Sequence, residues 1–231
     1  MLDFRRFRVL TFDCYGTLVD WESGILGALR PLLRAHGKTL TDEQTLEIYG
    51  ELEAEAEAGE YHPYREVLEG VVRGFGRRLG FEPSLQEAES LPESLKNWKP
   101  FPDTVAALMK LKARYKLAVV SNVDDDLFAA TARRLEVPFD WVITAQQAGS
   151  YKPSHRNFKL ALERIALPPD QVLHVAQSIY HDIVPARELG LATVWVNRRA
   201  GKAGEGATKA AQGQPDLEVP DLKTLAEMAV H

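Results

Sequence analysis

The sequence predicts an α/β protein, a doubly wound parallel sheet with an inserted helical domain. Short apolar runs recur at wide spacing, from Phe7 to Phe12, Leu117 to Val120, Trp141 to Thr144, Val172 to Val175 and Ala192 to Val196. Amphipathic helical patterns separate the later runs, and strands that alternate with helices need crossover connections, which make a parallel sheet. The segment from 20 to 95 breaks this rhythm and holds no convincing strand.

The first strand lies in 9-VLTFDCYGTLVDW-21, where the apolar run gives way to Asp13 with Gly16 and Thr17 just behind it. An acid at a strand end either caps the next turn or reacts. Cys14 beside it is read as buried apolar filler, because successive strand side chains point to opposite faces. The patterns 23-SGILGALRPLLRAHG-37, 41-TDEQTLEIYGELEAEAEAG-59 and 64-YREVLEGVVRGFGRRLG-80 read as three or four amphipathic helices ended by Gly37, Gly59 and Gly80. Open α/β sheets bind ligands at the carboxyl ends of their strands. An insertion leaving from the end of the first strand therefore lies over that edge, above Asp13. The expected division is a core of residues 1–19 and 96–231 and a helical cap of residues 20–95.

Within that cap, 47-EIYGELEAEAEAGE-60 is dominated by glutamates and reads as a solvated helix face. Turned inward, it would repel an anionic substrate. In the core, 103-DTVAALMKLKARY-115, 124-DDDLFAATARRLE-136, 154-SHRNFKLALERIA-166 and 181-HDIVPARELG-190 read as helices, several with Asp or Ser in the capping position, and Gly190 closes the last. The biased stretch 200-AGKAGEGATKAAQGQ-214 reads as a mobile loop before a short final strand and helix.

Composition excludes several classes. The 231 residues, 45% hydrophobic and 26% charged, suffice for one good core and a smaller appended domain. A net charge of −5 without a long basic cluster argues against nucleic acid or an anionic membrane as partner. No run approaches the roughly 18 apolar residues of a spanning helix, and the N-terminus lacks the long apolar stretch of a signal peptide. The single cysteine forms no internal disulfide and fits a reducing compartment, so the expected location is cytoplasmic.

Four short motifs fall at carboxyl strand ends: 13-DCYGTL-18, 121-SN-122, 152-KP-153 and 176-AQSIYHD-182. In that order, over nearly the whole chain, they resemble the haloacid dehalogenase superfamily of hydrolases. Tyr15 and 16-GTLVD-20 look most like the L-2-haloacid (type II) dehalogenases. That resemblance implies a covalent aspartyl-ester mechanism with no metal or other cofactor, and commonly a homodimer. Asp13 is then the nucleophile, and Asp182 orients the lysine or the hydrolytic water. Lys152 balances both acids and keeps Asp13 ionised despite burial, with Pro153 fixing the backbone beside it. Thr17 donates its hydroxyl to Asp13, and Gly16 allows a tight turn. Ser121 and Asn122 offer donors for a leaving anion or a substrate carboxylate, although the same pair also suits a simple helix cap.

Tyr15 separates reaction types. Superfamily phosphatases usually carry a second Asp there, because an alkoxide leaving group needs a proton. A phenol of pKa about 10 is a poor substitute, and halide leaves without a proton. Gln177 stands where metal-dependent relatives generally have an Asp for magnesium, and a neutral amide removes charge that a hard cation needs. The leading expectation is hydrolytic dehalogenation of a small 2-haloacid. The alternatives are a magnesium-dependent phosphatase and a non-catalytic, ligand-binding descendant.

The chain departs from the family pattern at several positions. Phe158 replaces the tyrosine usually six residues after the lysine, and Gln177 and Ile179 replace Ser and Asn. The cap arginine that clamps the substrate carboxylate or the halide has no clear counterpart. Arg65, in 62-HPYREV-67, is the first choice for that cation and Arg34 the second. His181, next to Asp182, is a candidate water-activating base, and a structural histidine is the plainer reading.

Overall fold

A computed structural model describes residues 2–201, 206–208 and 211–230. β1 (Val9–Phe12) is buried along its whole length, as a central parallel strand must be. Four helices follow it: α1 (Trp21–Ala35), α2 (Asp42–Glu57), α3 (Tyr64–Leu79) and α4 (Leu85–Ser94). The chain then alternates through α5 (Thr104–Lys112), β2 (Lys116–Ser121), α6 (Asp125–Leu135) and β3 (Trp141–Thr144). A short α7 (Ala145–Ala148), α8 (His155–Ile165), β4 (Val172–Ala176) and α9 (Val184–Glu188) come next, then β5 (Ala192–Val196), β6 (Leu217–Val219) and α10 (Leu222–Ala229).

The six strands form one parallel sheet in the order β3-β2-β1-β4-β5-β6. Phe12 pairs with Val119 of β2 and Val175 of β4, so three strands finish close together at one edge. The residues that follow them, Asp13, Asn122 and Gln177, are gathered there by register alone. Leu10 and Phe12 belong to the larger apolar cluster, while Val9, Ala118 and Val120 pack with Phe158 and Ala161 in a second one. β1 therefore supports apolar layers on both faces of the sheet.

The helices between β1 and α5 have clear local causes. Asp20 caps α1 at Ser23 N, and capping boxes start α2 (Thr41 with Gln44) and α4 (Ser84 with Glu87). α3 buries Val67, Leu68, Val71, Val72 and Phe75, each contributing about 1.5–3 kcal/mol relative to exposure. Gly74 lets α2 and α3 approach, since a Cβ there would lie 2.7 Å from Leu52 Cδ2.

Two local readings of the sequence need correction. The helix expected over 181–190 is divided into a π-helical turn, Ile179–Ile183, and the short α9. Asp124 does not cap its own helix; its carboxylate accepts from Tyr64 N at 2.9 Å and Arg65 N at 3.0 Å, at the start of α3. Of the biased stretch 200–214, residues 202–205 and 209–210 lie outside the described residues. Among the described residues no helix is long and apolar enough to cross a membrane.

Candidate active site

Asp13 follows β1 directly, and its backbone N–H still donates to Val175 O at 3.1 Å, so the sheet fixes the base of the side chain. Both carboxylate oxygens have fixed partners. Oδ2 accepts from Thr17 Oγ1 at 2.6 Å and Oδ1 from Lys152 Nζ at 2.8 Å. Thr17 Oγ1 in turn accepts from Gln177 N at 2.8 Å, which ties the β1 loop to the end of β4. The turn between them needs Gly16, whose φ is +91°; a Cβ there would meet Trp21 Nε1 at 3.0 Å.

Lys152 is buried, and its ammonium uses all three protons, on Asp13 Oδ1, on Asp182 Oδ1 at 2.7 Å and on Val120 O at 2.9 Å. Burial pulls its pKa down, but the Asp13 and Asp182 carboxylates outweigh that and hold it above its ordinary value. Asn122 grips the lysine backbone in both directions: Lys152 N donates to Asn122 Oδ1 at 2.7 Å, and Asn122 Nδ2 donates to Lys152 O at 3.1 Å. The Asn122 amide, expected as a donor to the substrate, is thus largely engaged in placing the lysine.

One ammonium serves two acids, and they respond differently. Burial pushes the Asp13 carboxyl up and the like charge of Asp182 adds to this, against the charge of Lys152 and the hydrogen bonds from Lys152 and Thr17. Burial also opposes ionisation of Asp182, yet Lys152 and a hydrogen bond from His174 hold it below the usual range. His174, in the middle of β4, has Nε2 3.0 Å from Asp182 Oδ1 and Nδ1 2.8 Å from Thr11 Oγ1, with Phe158 edge-on at 5.0 Å. Two buried polar atoms, Ser121 Oγ and Asp182 Oδ2, have no hydrogen-bond partner among the described residues.

Asp13, Tyr15, Ser121, Asn122, Lys152, Gln177, His181 and Asp182 all line one cavity of about 40 Å³, room for a few water-sized groups. Thr17 acts from behind, through Asp13. Tyr15 presents its ring, while its hydroxyl turns away to Thr131 Oγ1 at 2.8 Å. His181 Nδ1 lies 3.2 Å from Ser178 Oγ. Cys14 is fully buried in the apolar cluster, and burial pushes its thiol well up, as suits filler.

The opposite wall comes from the helices after β1 and overturns two expectations. Glu51, Glu55 and Glu60 are exposed, but Glu53 and Glu57, one turn apart on α2, face inward and line the cavity. The glutamate run is therefore not simply a solvated face. Glu53 Oε1 accepts from Tyr49 OH at 2.7 Å and from Tyr64 OH at 2.6 Å. Burial pushes Glu53 up to about 7, and burial with the charge of Glu53 drives Glu57 well above the usual carboxylate range. Arg65 does not reach the cavity: its guanidinium is held outside by Glu93 at 2.7 Å and Asp126 at 3.1 Å. Arg34 is exposed on α1 and is not among the lining residues.

The donor set suits a divalent ion poorly. Asp13 gives one oxygen to Lys152 and the other to Thr17, Gln177 is neutral, and Asp182 gives one of its oxygens to Lys152 as well. Among the described residues, no group of three or more His, Cys, Asp or Glu side chains is arranged to hold a metal.

Sequence reasoning missed His174, Glu53, Glu57, Tyr64, Trp21 and Thr208, the last of which donates to Gln177 Oε1 at 3.3 Å. A histidine inside the apolar strand 172-VLHVA-176 and the one-turn spacing of Tyr49, Glu53 and Glu57 were the available signals.

The chain is similar to several known proteins. The chain is 27% identical over 222 residues to an (S)-2-haloacid dehalogenase of Pseudomonas putida, covering 94% of this chain and 96% of that one. It is 29% identical over 198 residues to a glyceraldehyde 3-phosphate phosphatase of Methanothermobacter thermautotrophicus, covering 82% and 85%. A crystal structure of an L-2-haloacid dehalogenase superposes with a TM-score of 0.80 at 27% identity, covering 96% of this chain and 98% of that one. An L-2-haloacid dehalogenase from Xanthobacter autotrophicus, 22% identical with a TM-score of 0.79 over 96% and 98% of the two chains, shares the fold. The profile of the haloacid dehalogenase-like hydrolases matches residues 7–190, the span that carries β1, the helices after it and every strand end around Asp13. The chain belongs to the haloacid dehalogenase-like hydrolases.

Proposed function

We propose that the protein is a metal-independent hydrolase that releases halide from a small 2-haloacid through an ester formed on Asp13, with residues 20–95 acting as its cap domain. The observation that carries this reading is the Asp13 carboxylate itself, fixed at one oxygen by Lys152 and at the other by Thr17 and facing a small cavity. Tyr15, two positions further on, turns its hydroxyl away to Thr131 Oγ1 and offers no acid to a leaving group in the cavity.

In the first half-reaction an Asp13 oxygen bonds to C2 of the substrate, and the carbon–halogen bond breaks with its electron pair on the halide. No proton is required. Ser121 Oγ, buried without a partner among the described residues, is the donor for the departing anion. In the second, water adds to Asp13 Cγ, and the bond from Cγ to the ester oxygen breaks. The product leaves as a 2-hydroxy acid carrying an oxygen that belonged to Asp13. One water proton ends on the product hydroxyl and the other is released as Asp13 reionises. Asp182 Oδ2 is the acceptor that orients this water, with Lys152 balancing the charge on both acids.

A magnesium-dependent phosphatase fits less well, because Lys152 and Thr17 already engage both oxygens of Asp13 and Gln177 supplies no charge. The homodimer and the cytoplasmic location belong to the same reading. A single turnover in heavy-oxygen water tests the mechanism: the label enters Asp13 and not the first product molecule, as read by mass spectrometry. Label in the first product overturns the ester. Halide release unchanged by chelator supports metal independence, and loss restored by magnesium returns the phosphatase.

A further inference from the structure

The cavity contains four carboxyl groups, Asp13, Asp182, Glu53 and Glu57, and one ammonium, already engaged by the two aspartates. A desolvated pocket of this size does not hold four ionised acids against one cation. The proton belongs on Glu57. Glu53 already accepts from two tyrosine hydroxyls at a single oxygen, which stabilises its anion. Glu57 has nothing comparable: its hydrogen bonds among the described residues are the 3.5 Å contacts from Asn122 Nδ2 to each oxygen. It is also the last residue of α2, at the negative end of the helix, whose last turn contains no basic side chain.

The groups that act on Glu57 can be named wall by wall. Glu53 stands one turn back on its own helix, with Tyr49 and Tyr64 bound to it. From the core come Asn122, Lys152 and Tyr151, and Asp13, His181 and Asp182 line the same cavity. Lys152 is the single fixed cation in this set, and its three protons are already used. Ser121 Oγ, buried and unpartnered among the described residues, is an independent sign that a ligand with acceptor atoms belongs between the two walls.

We propose that Glu57, as a neutral carboxylic acid, donates a hydrogen bond to the carboxylate of the substrate and so takes the place of a cap cation. This rests on the haloacid reading. A neutral acid beside a carboxylate forms a strong charge-assisted hydrogen bond, whereas the ionised form repels it. Recognition of the anion is thereby tied to pH: substrate binds to the protonated enzyme, and binding weakens once Glu57 loses its proton.

The test is the pH profile of halide release from L-2-chloropropionate by the wild type, Glu57→Gln and Glu57→Ala. In the wild type, kcat/KM falls about tenfold per pH unit above the ionisation of Glu57, through KM. Glu57→Gln, which keeps a neutral donor, retains activity and loses this alkaline limb. Glu57→Ala has a raised KM at every pH. An alkaline limb unchanged in Glu57→Gln, or a wild-type KM in Glu57→Ala, overturns the proposal. A second measurement does not need turnover. Asp13→Asn titrated with propionate above the limb, in two buffers of different ionisation enthalpy, takes up about one proton per ligand bound; no uptake overturns the role of Glu57. If propionate binds with proton uptake while the wild type releases no halide at any pH, the haloacid chemistry fails and the carboxylate site on Glu57 stands.

Discussion

Lys152 Nζ lies 2.8 Å from Asp13 Oδ1, at a site where the lysine is only 2% exposed. Buried ion pairs gain little over an apolar pair, but breaking one by removing a partner leaves an uncompensated charge that costs about 3–5 kcal/mol. Here the loss is larger in consequence, because the same ammonium serves Asp182.

Lys152→Met is therefore expected to push Asp13 further up, since the charge that opposes burial is gone. Proton uptake by Asp13 limits the loss of stability and, in the proposed mechanism, removes the nucleophile. The acid limb of halide release moves to higher pH, and kcat at neutral pH falls by about a thousandfold or more. An acid limb left in place would falsify the pairing as the source of Asp13 ionisation.

Glu53 makes stability depend on pH with a definite sign. Its folded-state pKa is raised from 4.5 to about 7, so between these values the folded chain holds a proton that the unfolded chain has lost. Stability from this group is full below 4.5, declines as pH rises through the window and levels off above about 7. The loss is on the order of 3 kcal/mol. Glu53→Gln keeps an acceptor for Tyr49 and Tyr64 without a charge. Thermal unfolding should show it more stable than the wild type at pH 8 and nearly equal at pH 4.5. Equal stability at both values rules out this account.

The core of the site was legible because apolar runs end abruptly where the chemistry begins. Asp13, Ser121, Lys152 and Asp182 each follow a predicted strand or its connecting loop, and parallel register brings the strand ends together. The wall contributed by α2 was not legible. In 51-ELEAEAE-57 acids alternate every second residue, so the sequence displays charge without saying which turn faces inward, and only Glu53 and Glu57 share the face of Tyr49. Arg65 was misread for a different reason. Its partners Glu93 and Asp126 lie 28 and 61 positions away, beyond any local pattern. Asp124 obeyed the preference of acids for helix N-termini, but at the N-terminus of a helix 60 positions earlier.

That Asp124 contact ties the helices after β1 to the sheet edge. α3 begins after Pro63, which provides no side-chain cap, and Asp124 supplies acceptors for Tyr64 N and Arg65 N instead. Tyr61 OH at 3.2 Å also donates to it, and Tyr151 OH donates to His62 O at 2.6 Å nearby. Asp124→Ala removes a cap of about 1–2 kcal/mol, which corresponds to a fall in Tm of roughly 2–8 °C for a chain of this size. Limited proteolysis should gain cleavage in 58–63, where the connection becomes looser, and KM should rise more than kcat falls. An unchanged Tm and cleavage pattern excludes the latch.

His174 gives the sharpest test of how the two half-reactions divide. It touches Asp182 Oδ1 at 3.0 Å and lies behind that acid, buried under Phe158. In the proposed mechanism Asp182 orients the hydrolytic water, while attack by Asp13 on the substrate depends on Lys152 and Thr17. Removing the His174 donor disturbs the water step first. His174→Leu deletes a hydrogen bond to a charged group, about 1.5–3 kcal/mol, equivalent to a factor of about ten to a hundred in rate. Rapid-quench measurement of halide should then show a burst close to one equivalent of enzyme followed by a slow steady state, with the ester on Asp13 accumulating in the mass spectrum. Slow release in a single phase, with no accumulated ester, would place the loss in the first step and remove Asp182 from the handling of water.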